Sequence, residues 1–210
     1  MKDIIIVGAG GLGREVLQWI KDINKVKKQW NILGFINDEP HALEGFECDY
    51  SIIGTIKEWI PSANQVFACA IADPNGKELV TNLLKERGAV FTPVIHPTAM
   101  VSDFSPIGEG MIMYPGSGIS VNVKIGKFVT LLYSGVGHNA EIGDYSTISS
   151  YCDIAGGAII EDKVFIGSHT TLIPKKRVGS GAYVGAGSVV VSHVKEGSKV
   201  MGNPAMKMDF

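Results

Sequence analysis

The chain has only three cysteines in 210 residues and no surplus of charge of either sign. Cys48, Cys69 and Cys152 lie far apart and form no C-x-x-C pair, which excludes a disulfide framework and a zinc knuckle and leaves them as buried thiols. Nineteen basic residues stand against 21 acidic ones, a net charge of -2. The basic field that nucleic-acid and anionic-membrane partners require is therefore missing. Long apolar runs are missing as well. The opening "MKDIIIVGAG" breaks at glycine before it reaches the length of a signal segment, and no window approaches a membrane span. These absences predict a cytoplasmic protein with no nucleic-acid partner, no membrane partner and no bound metal. Glycine, by contrast, is plentiful at 26 residues, more than a helical globule uses, and points to many tight turns.

The chain changes character near its middle, which predicts two domains, 1–92 and 93–210. The first alternates apolar runs with helical segments. "DIIIV" reads as a strand, followed by a glycine turn and a helix with Val16, Leu17 and Ile20 on one face. A strand "ILGFIND", a weak helix around "IKEWI", a strand "QVFACAI" and a helix "PNGKELVTNLLKER" follow. Asp73 suits the start of that last helix as its cap, Pro74 its first turn and Gly88 its exit. This order reads as a small parallel α/β sheet of Rossmann type.

From Ile95 the period becomes six. Ile95, Val101, Ile107, Met113, Ile119, Ile125 and Leu131 are all apolar; after one five-residue step the column resumes at Val136 and runs through Ile142, Ile148, Ile154, Ile160, Ile166, Leu172, Val178 and Val184 to Val190. A second column four residues later is small or β-branched, with Met111 and Lys176 as its misfits. Glycine often follows the first column, as at Gly108, Gly126, Gly143, Gly167, Gly179 and Gly185, where it is expected to relieve backbone strain. Each hexapeptide is a short strand and a turn, and stacking the coils buries one continuous aliphatic core. Neither a helical period nor strict alternation puts these columns on one face.

Two motifs carry candidate chemistry. "GAGGLG" fits G-x-G-x-x-G with Gly8, Gly10 and Gly13, and Gly11 between them, placed after a strand and before a helix where backbone approaches phosphate closely. A dinucleotide site is one reading, with Asp38 at the end of the second strand as its ribose acid; a turn built for packing alone is another. The second motif is "GHNAEIGDY". His138 follows the inward Val136 by two residues and so projects outward, beside the one break in the register, which is expected to push the imidazole off the wall. An imidazole there can serve as a general base, since it exchanges protons near neutral pH, or can simply be solvated or packed at an interface. One coil further on, Gly156 stacks over it and leaves a shallow notch.

The hexapeptide half, with "GHNAEIGDY", "VGAGSVV" and the closing "GNPA", resembles the left-handed β-helix acyltransferases. With "GAGGLGRE" and "GFINDE" added, nearly the whole chain resembles the bacterial sugar O-acyltransferases, which include sialic acid O-acetyltransferases and the nucleotide-linked 4-amino-sugar N-acetyltransferases. The resemblance implies a left-handed β-helix and a homotrimer. It implies an acetyl-CoA-dependent transfer to an amino or hydroxyl group of a sugar, either nucleotide-linked, as in UDP-amino-sugars, or sialic acid. It puts the acyl-CoA arm in a groove between subunits and gives the glycine turn, with Asn37 and Asp38, to the nucleotide. It makes His138 the base. In the resembling enzymes the next residue is commonly acidic, and some carry a second histidine nine residues on; here these positions are Asn139 and Thr147, whose hydroxyl remains as a donor to the thioester carbonyl. Glu141 and Asp144 are the remaining acids able to assist. For acetyl-CoA the candidates are Gly156, Gly157, Gly185, Ala186 and Lys195, with Lys175, Lys176, Arg177 and Lys199 as further basic residues. His96, His169 and His193 read as surface or interface residues, and Glu109 and Asp162 as solvated turn charges. Two other classes remain open: an NAD- or nucleotide-binding protein, and a non-catalytic trimeric scaffold.

Overall fold

The structure, a computed structural model, describes residues 1–208. The run Ile4–Val7 has no exposed surface because its strand, β1 (Lys2–Val7), lies inside a four-stranded parallel sheet. The order is β3 (Ile52–Gly54), β2 (Trp30–Ile36), β1, β4 (Gln65–Cys69). Helix α1 (Gly11–Val26) buries Val16, Leu17, Trp19, Ile20 and Ile23. Helix α2 (Pro74–Glu86) starts as its sequence predicts: the Asp73 carboxylate accepts from Gly76 N at 2.6 Å and Pro74 opens the first turn. Gly88 at its exit has φ +90°. The expected helix around 56–60 is only a turn. Trp59 folds back so closely that a Cβ on Gly54 would lie 2.8 Å from its ring, and Pro61 follows. One apolar turn is too short to stand as a helix without tertiary support.

From Val94 onward the chain is a left-handed parallel β-helix of two-residue strands in three parallel faces. Face B carries Val94–Ile95, Ile112–Met113, Thr130–Leu131, Thr147–Ile148, Phe165–Ile166 and Tyr183–Val184; it ends on an antiparallel pair, Lys199–Met201 with Met206–Lys207. Face C carries Met100–Val101, Gly118–Ile119, Gly135–Val136, Asp153–Ile154, Thr171–Leu172 and Val189–Val190. Face D carries Lys124–Ile125, Glu141–Ile142, Ile159–Ile160 and Arg177–Val178. The aliphatic column forms the core as expected, except Val101, 39% exposed in the edge strand of face C where no coil covers it.

The glycines after that column do a different job from the one expected. None has positive φ; instead a Cβ on Gly108 would lie 1.9 Å from Gly126 O, and one on Gly143 would lie 2.6 Å from Asp162 N. They permit close stacking of coils. The left-handed backbone falls two residues later, on Asn122, Phe128, Tyr133, Asn139, Tyr145, Tyr151, Lys163, His169 and Lys175, each with φ between 41° and 62°.

The N-terminal sheet leans on face B. Its core clusters include Val94, Ile112, Tyr114 and Phe128 of the β-helix. Lys85 pairs with Glu109 at 2.6 Å and Lys163 with Glu78 at 3.2 Å, so Glu109 is an interdomain partner of α2 and not a solvated charge. His96 also has partners: its Nδ1 meets Thr98 Oγ1 at 2.9 Å, and its Nε2 lies 3.7 Å from Asp22 on α1.

Candidate active site

The five-residue step lies between Leu131 and Val136, at the corner joining faces B and C. There the repeat shortens from 18 residues to 17, so that Thr130 pairs with Thr147 while Thr147 pairs with Phe165. His138 stands at the next corner, between faces C and D. The missing residue is absorbed at Tyr133, whose φ of 41° is the lowest of the positive values, so the step does not push the imidazole outward. His138 is exposed because every coil presents that position outward, as Val121 does one coil before it.

What singles out this corner is the space around the ring. A Cβ on Gly156 would lie 2.7 Å from His138 Nε2, so any other residue there would displace the imidazole. A Cβ on Gly137 would lie 2.7 Å from Gly156 N, so the glycine keeps that N–H uncovered. His138 Nδ1 donates to Asn139 Oδ1 at 2.8 Å, which leaves the Nε2 lone pair facing the notch. Neither nearby acid assists: Glu141 pairs with Lys124 at 2.6 Å, and Asp144 Oδ1 accepts from Lys127 N at 2.8 Å. Asp162 accepts from Asp144 N at 2.8 Å, so it too belongs to a structural ladder.

Thr147 does not join His138. Its side chain is fully buried on face B, where Oγ1 donates to Ala72 O at 2.7 Å and accepts from Lys77 Nζ at 2.9 Å. Its hydroxyl is therefore not available to a thioester at the far corner. The sequence reading missed Lys77, because a lysine in an amphipathic helix shows nothing of what it will pack against. Burial pushes its ammonium down to about 7, against the opposing influence of Cys69 and Asp73, while burial pushes the Cys69 thiol up to about 11.

Among the coenzyme candidates, Gly156 forms the notch and Gly157 adjoins it, its N–H donating to His138 O at 2.8 Å. Gly185 and Ala186 follow face B in a later coil, where Gly185 lies under Met201 in a groove of about 460 Å³ with Tyr183, Lys199 and Met208. Lys195 is exposed at the third corner, next to the coil of Gly179. One chain therefore brings together only the first two. Lys175 lies beside Gly157, its Cγ 3.4 Å from where a Cβ would stand. His193 Nδ1 accepts from Arg177 N at 3.0 Å and His169 stacks on Tyr151, so both are structural.

The glycine turn has the division of labour that close phosphate approach requires. Gly8 has φ +99°; Gly10 and Gly11 have open space where a Cβ would point; a Cβ on Gly13 would lie 2.1 Å from Gly8 O, so it lets α1 pack on the turn. No side chain caps α1, which leaves its first N–H groups open. Asn37 braces the turn, Oδ1 accepting from Ala9 N at 3.1 Å and Nδ2 donating to Glu39 O at 2.7 Å. Exposed Asp38 holds Lys57 N at 3.1 Å. Tyr114 donates to Glu15 on α1 and meets Tyr133 edge-on at 5.1 Å, so the turn faces the corner between B and C, while His138 lies across face C from it.

Comparison with known proteins adds to this geometry. The PglD N-terminal domain family matches residues 3–84. The chain is 32% identical over 217 residues to GDP-perosamine N-acetyltransferase of Escherichia coli O157:H7, covering 97% of this chain and 95% of that protein. The structure of WeeI from Acinetobacter baumannii AYE matches with a TM-score of 0.88 at 30% identity, over 99% of this chain and 100% of that one. PerB from Caulobacter crescentus, solved in complex with CoA and GDP-perosamine, shares the fold with a TM-score of 0.89 at 21% identity, over 100% of this chain and 98% of that one.

Proposed function

The chain belongs to the family of nucleotide-linked amino-sugar acetyltransferases, and we propose that it moves the acetyl group of acetyl-CoA to the amine of such a sugar, with His138 as general base. The observation that carries this reading is the corner of Gly137, His138, Asn139 and Gly156: an oriented imidazole, an open notch and an uncovered backbone N–H within one coil spacing. Residues 1–92 hold the nucleotide, with Gly8, Gly10, Gly11 and Gly13 at its phosphates and Asp38 further along; residues 93–210 perform the transfer.

The acceptor nitrogen attacks the thioester carbon, and His138 Nε2 takes its proton. The tetrahedral oxyanion accepts from Gly156 N–H, which has no hydrogen-bond partner among the described residues. Collapse breaks the C–S bond, the imidazolium returns the proton to sulfur, and an amide and free CoA leave. The chemistry uses no metal.

A homotrimer fits this reading. Face B is covered by the N-terminal domain, face D carries the pairs Lys124–Glu141 and Arg177–Glu161, and face C is open around Gly118, Gly135 and Gly137, with Asp153 the one charged residue lining a groove of about 400 Å³. Gly185 and Ala186, at the other edge of face C, reach the same thioester only from a neighbouring copy, and a groove between prisms supplies the concavity a ligand needs. Acetyl-CoA and sugar nucleotides are cytoplasmic metabolites, which supports a cytoplasmic enzyme.

Incubation with acetyl-CoA and a panel of nucleotide-linked amino sugars, GDP-perosamine among them, tests the reading by thiol release. Turnover is expected with an amino sugar; turnover only with sialic acid makes the acceptor a hydroxyl, and no turnover with any acceptor contradicts the assignment.

A further inference from the structure

Among the described residues, Lys77 is the only fully buried charged side chain, at 1% exposure, and it lies away from the acyl-transfer corner. It stands one turn into α2. Its Nζ donates to Thr130 Oγ1 and Thr147 Oγ1, both at 2.9 Å, and to Phe128 O at 3.0 Å, with Ser146 O at 3.4 Å. All four acceptors belong to the β-helix. Burying an amine that titrates is costly, and an aliphatic side chain would join α2 to the coils without that cost.

The hydrogen bonds indicate what the lysine does that an aliphatic residue cannot. Because Lys77 donates to Thr147 Oγ1, the threonine proton is directed elsewhere, and it goes to Ala72 O at 2.7 Å. Ala72 lies in the loop that follows β4. In the same loop Ala70 N donates to Val7 O at 2.8 Å, and Ala70 O lies 3.0 Å from the place a Cβ on Gly8 would take. This loop is therefore one wall of the glycine turn. The path from the coils to the turn runs by hydrogen bonds from Lys77 to Thr147 and from Thr147 to Ala72, then along the backbone of the loop to Ala70, whose carbonyl packs against Gly8.

We propose that Lys77 is a positioning residue for the nucleotide-linked sugar: through Thr147 it holds the loop 70–73 against the glycine turn and so fixes the phosphate cradle relative to the β-helix. This role rests on the nucleotide site proposed above. It requires a hydroxyl at 147 as much as an amine at 77, which separates it from simple packing.

Steady-state kinetics on Lys77→Met, Thr147→Val and Thr147→Ser, with the acceptor that the wild type turns over best, test it. Losing one buried hydrogen bond in the relay should raise KM for the sugar nucleotide by about tenfold in the first two variants. KM for acetyl-CoA and kcat should hold, and Thr147→Ser should behave as wild type. An unchanged sugar-nucleotide KM in Thr147→Val, with only a lower Tm, overturns the role, as does a parallel loss in both KM values and kcat. If Lys77→Met fails to fold, the two Thr147 variants decide alone. Absence of any wild-type turnover removes the nucleotide-site reading itself, so the two failures are distinguishable.

Discussion

Asn139 accepts the Nδ1 proton of His138 but offers the imidazolium no charge. Orientation and charge can therefore be separated at this residue. Asn139→Ala should lower kcat by about tenfold through loss of one oriented hydrogen bond, and Asn139→Asp, which restores the bond and adds a counterion, should raise kcat above wild type. Lys77 makes a prediction about stability. Its amine falls from 10.5 to about 7 on burial, so between these values the unfolded chain binds the extra proton. Stability from this group is therefore complete above 10.5 and lost as pH falls toward 7. Cys69 acts oppositely, but only above its unfolded value of 9.0, as its thiol is pushed up to about 11. From pH 7 to 9 the lysine alone should make urea unfolding free energies rise by up to ~1.4 kcal/mol per pH unit, a slope that Lys77→Met should abolish.

At the scale of elements, the six-residue period revealed the β-helix and its core because each inward position demands an aliphatic side chain. The corner conformation was not legible. Asn139, Tyr145, Lys163 and His169 share no chemistry, only a positive φ, and that is a property of backbone. The glycines stood out in the sequence, but their reason, coil against coil, appears only when Gly143 is seen under Asp162. Gly143→Ala should cost about 1–3 kcal/mol by overpacking, read as a lower urea midpoint. The start of α2 was legible in full, since Asp73 and Pro74 act within a few residues of each other. Asp73→Ala should cost about 1 kcal/mol in the same measurement. His138 was legible as an outward residue, whereas the link drawn between it and the five-residue step was not sound, because one-dimensional closeness to a corner says nothing of which corner absorbs the missing residue.

At the scale of the whole molecule, the glycine turn and the histidine face opposite edges of face C, so the two proposed sites stand apart within one chain. Sedimentation should give a trimer, and charged substitution at the floor of the face C groove, Gly135→Asp, should yield monomers with little activity. A lysine and a threonine between the domains have no sequence signature that joins them, which is why that connection required coordinates. The proposed acyl transfer depends above all on the imidazole over Gly156. The most direct test is the rate of thiol release by His138→Ala at saturating acetyl-CoA and acceptor. A fall in kcat of about 10²–10⁴-fold, with the trimer and its Tm preserved, is the expected result; a rate equal to wild type would contradict the assignment of the base.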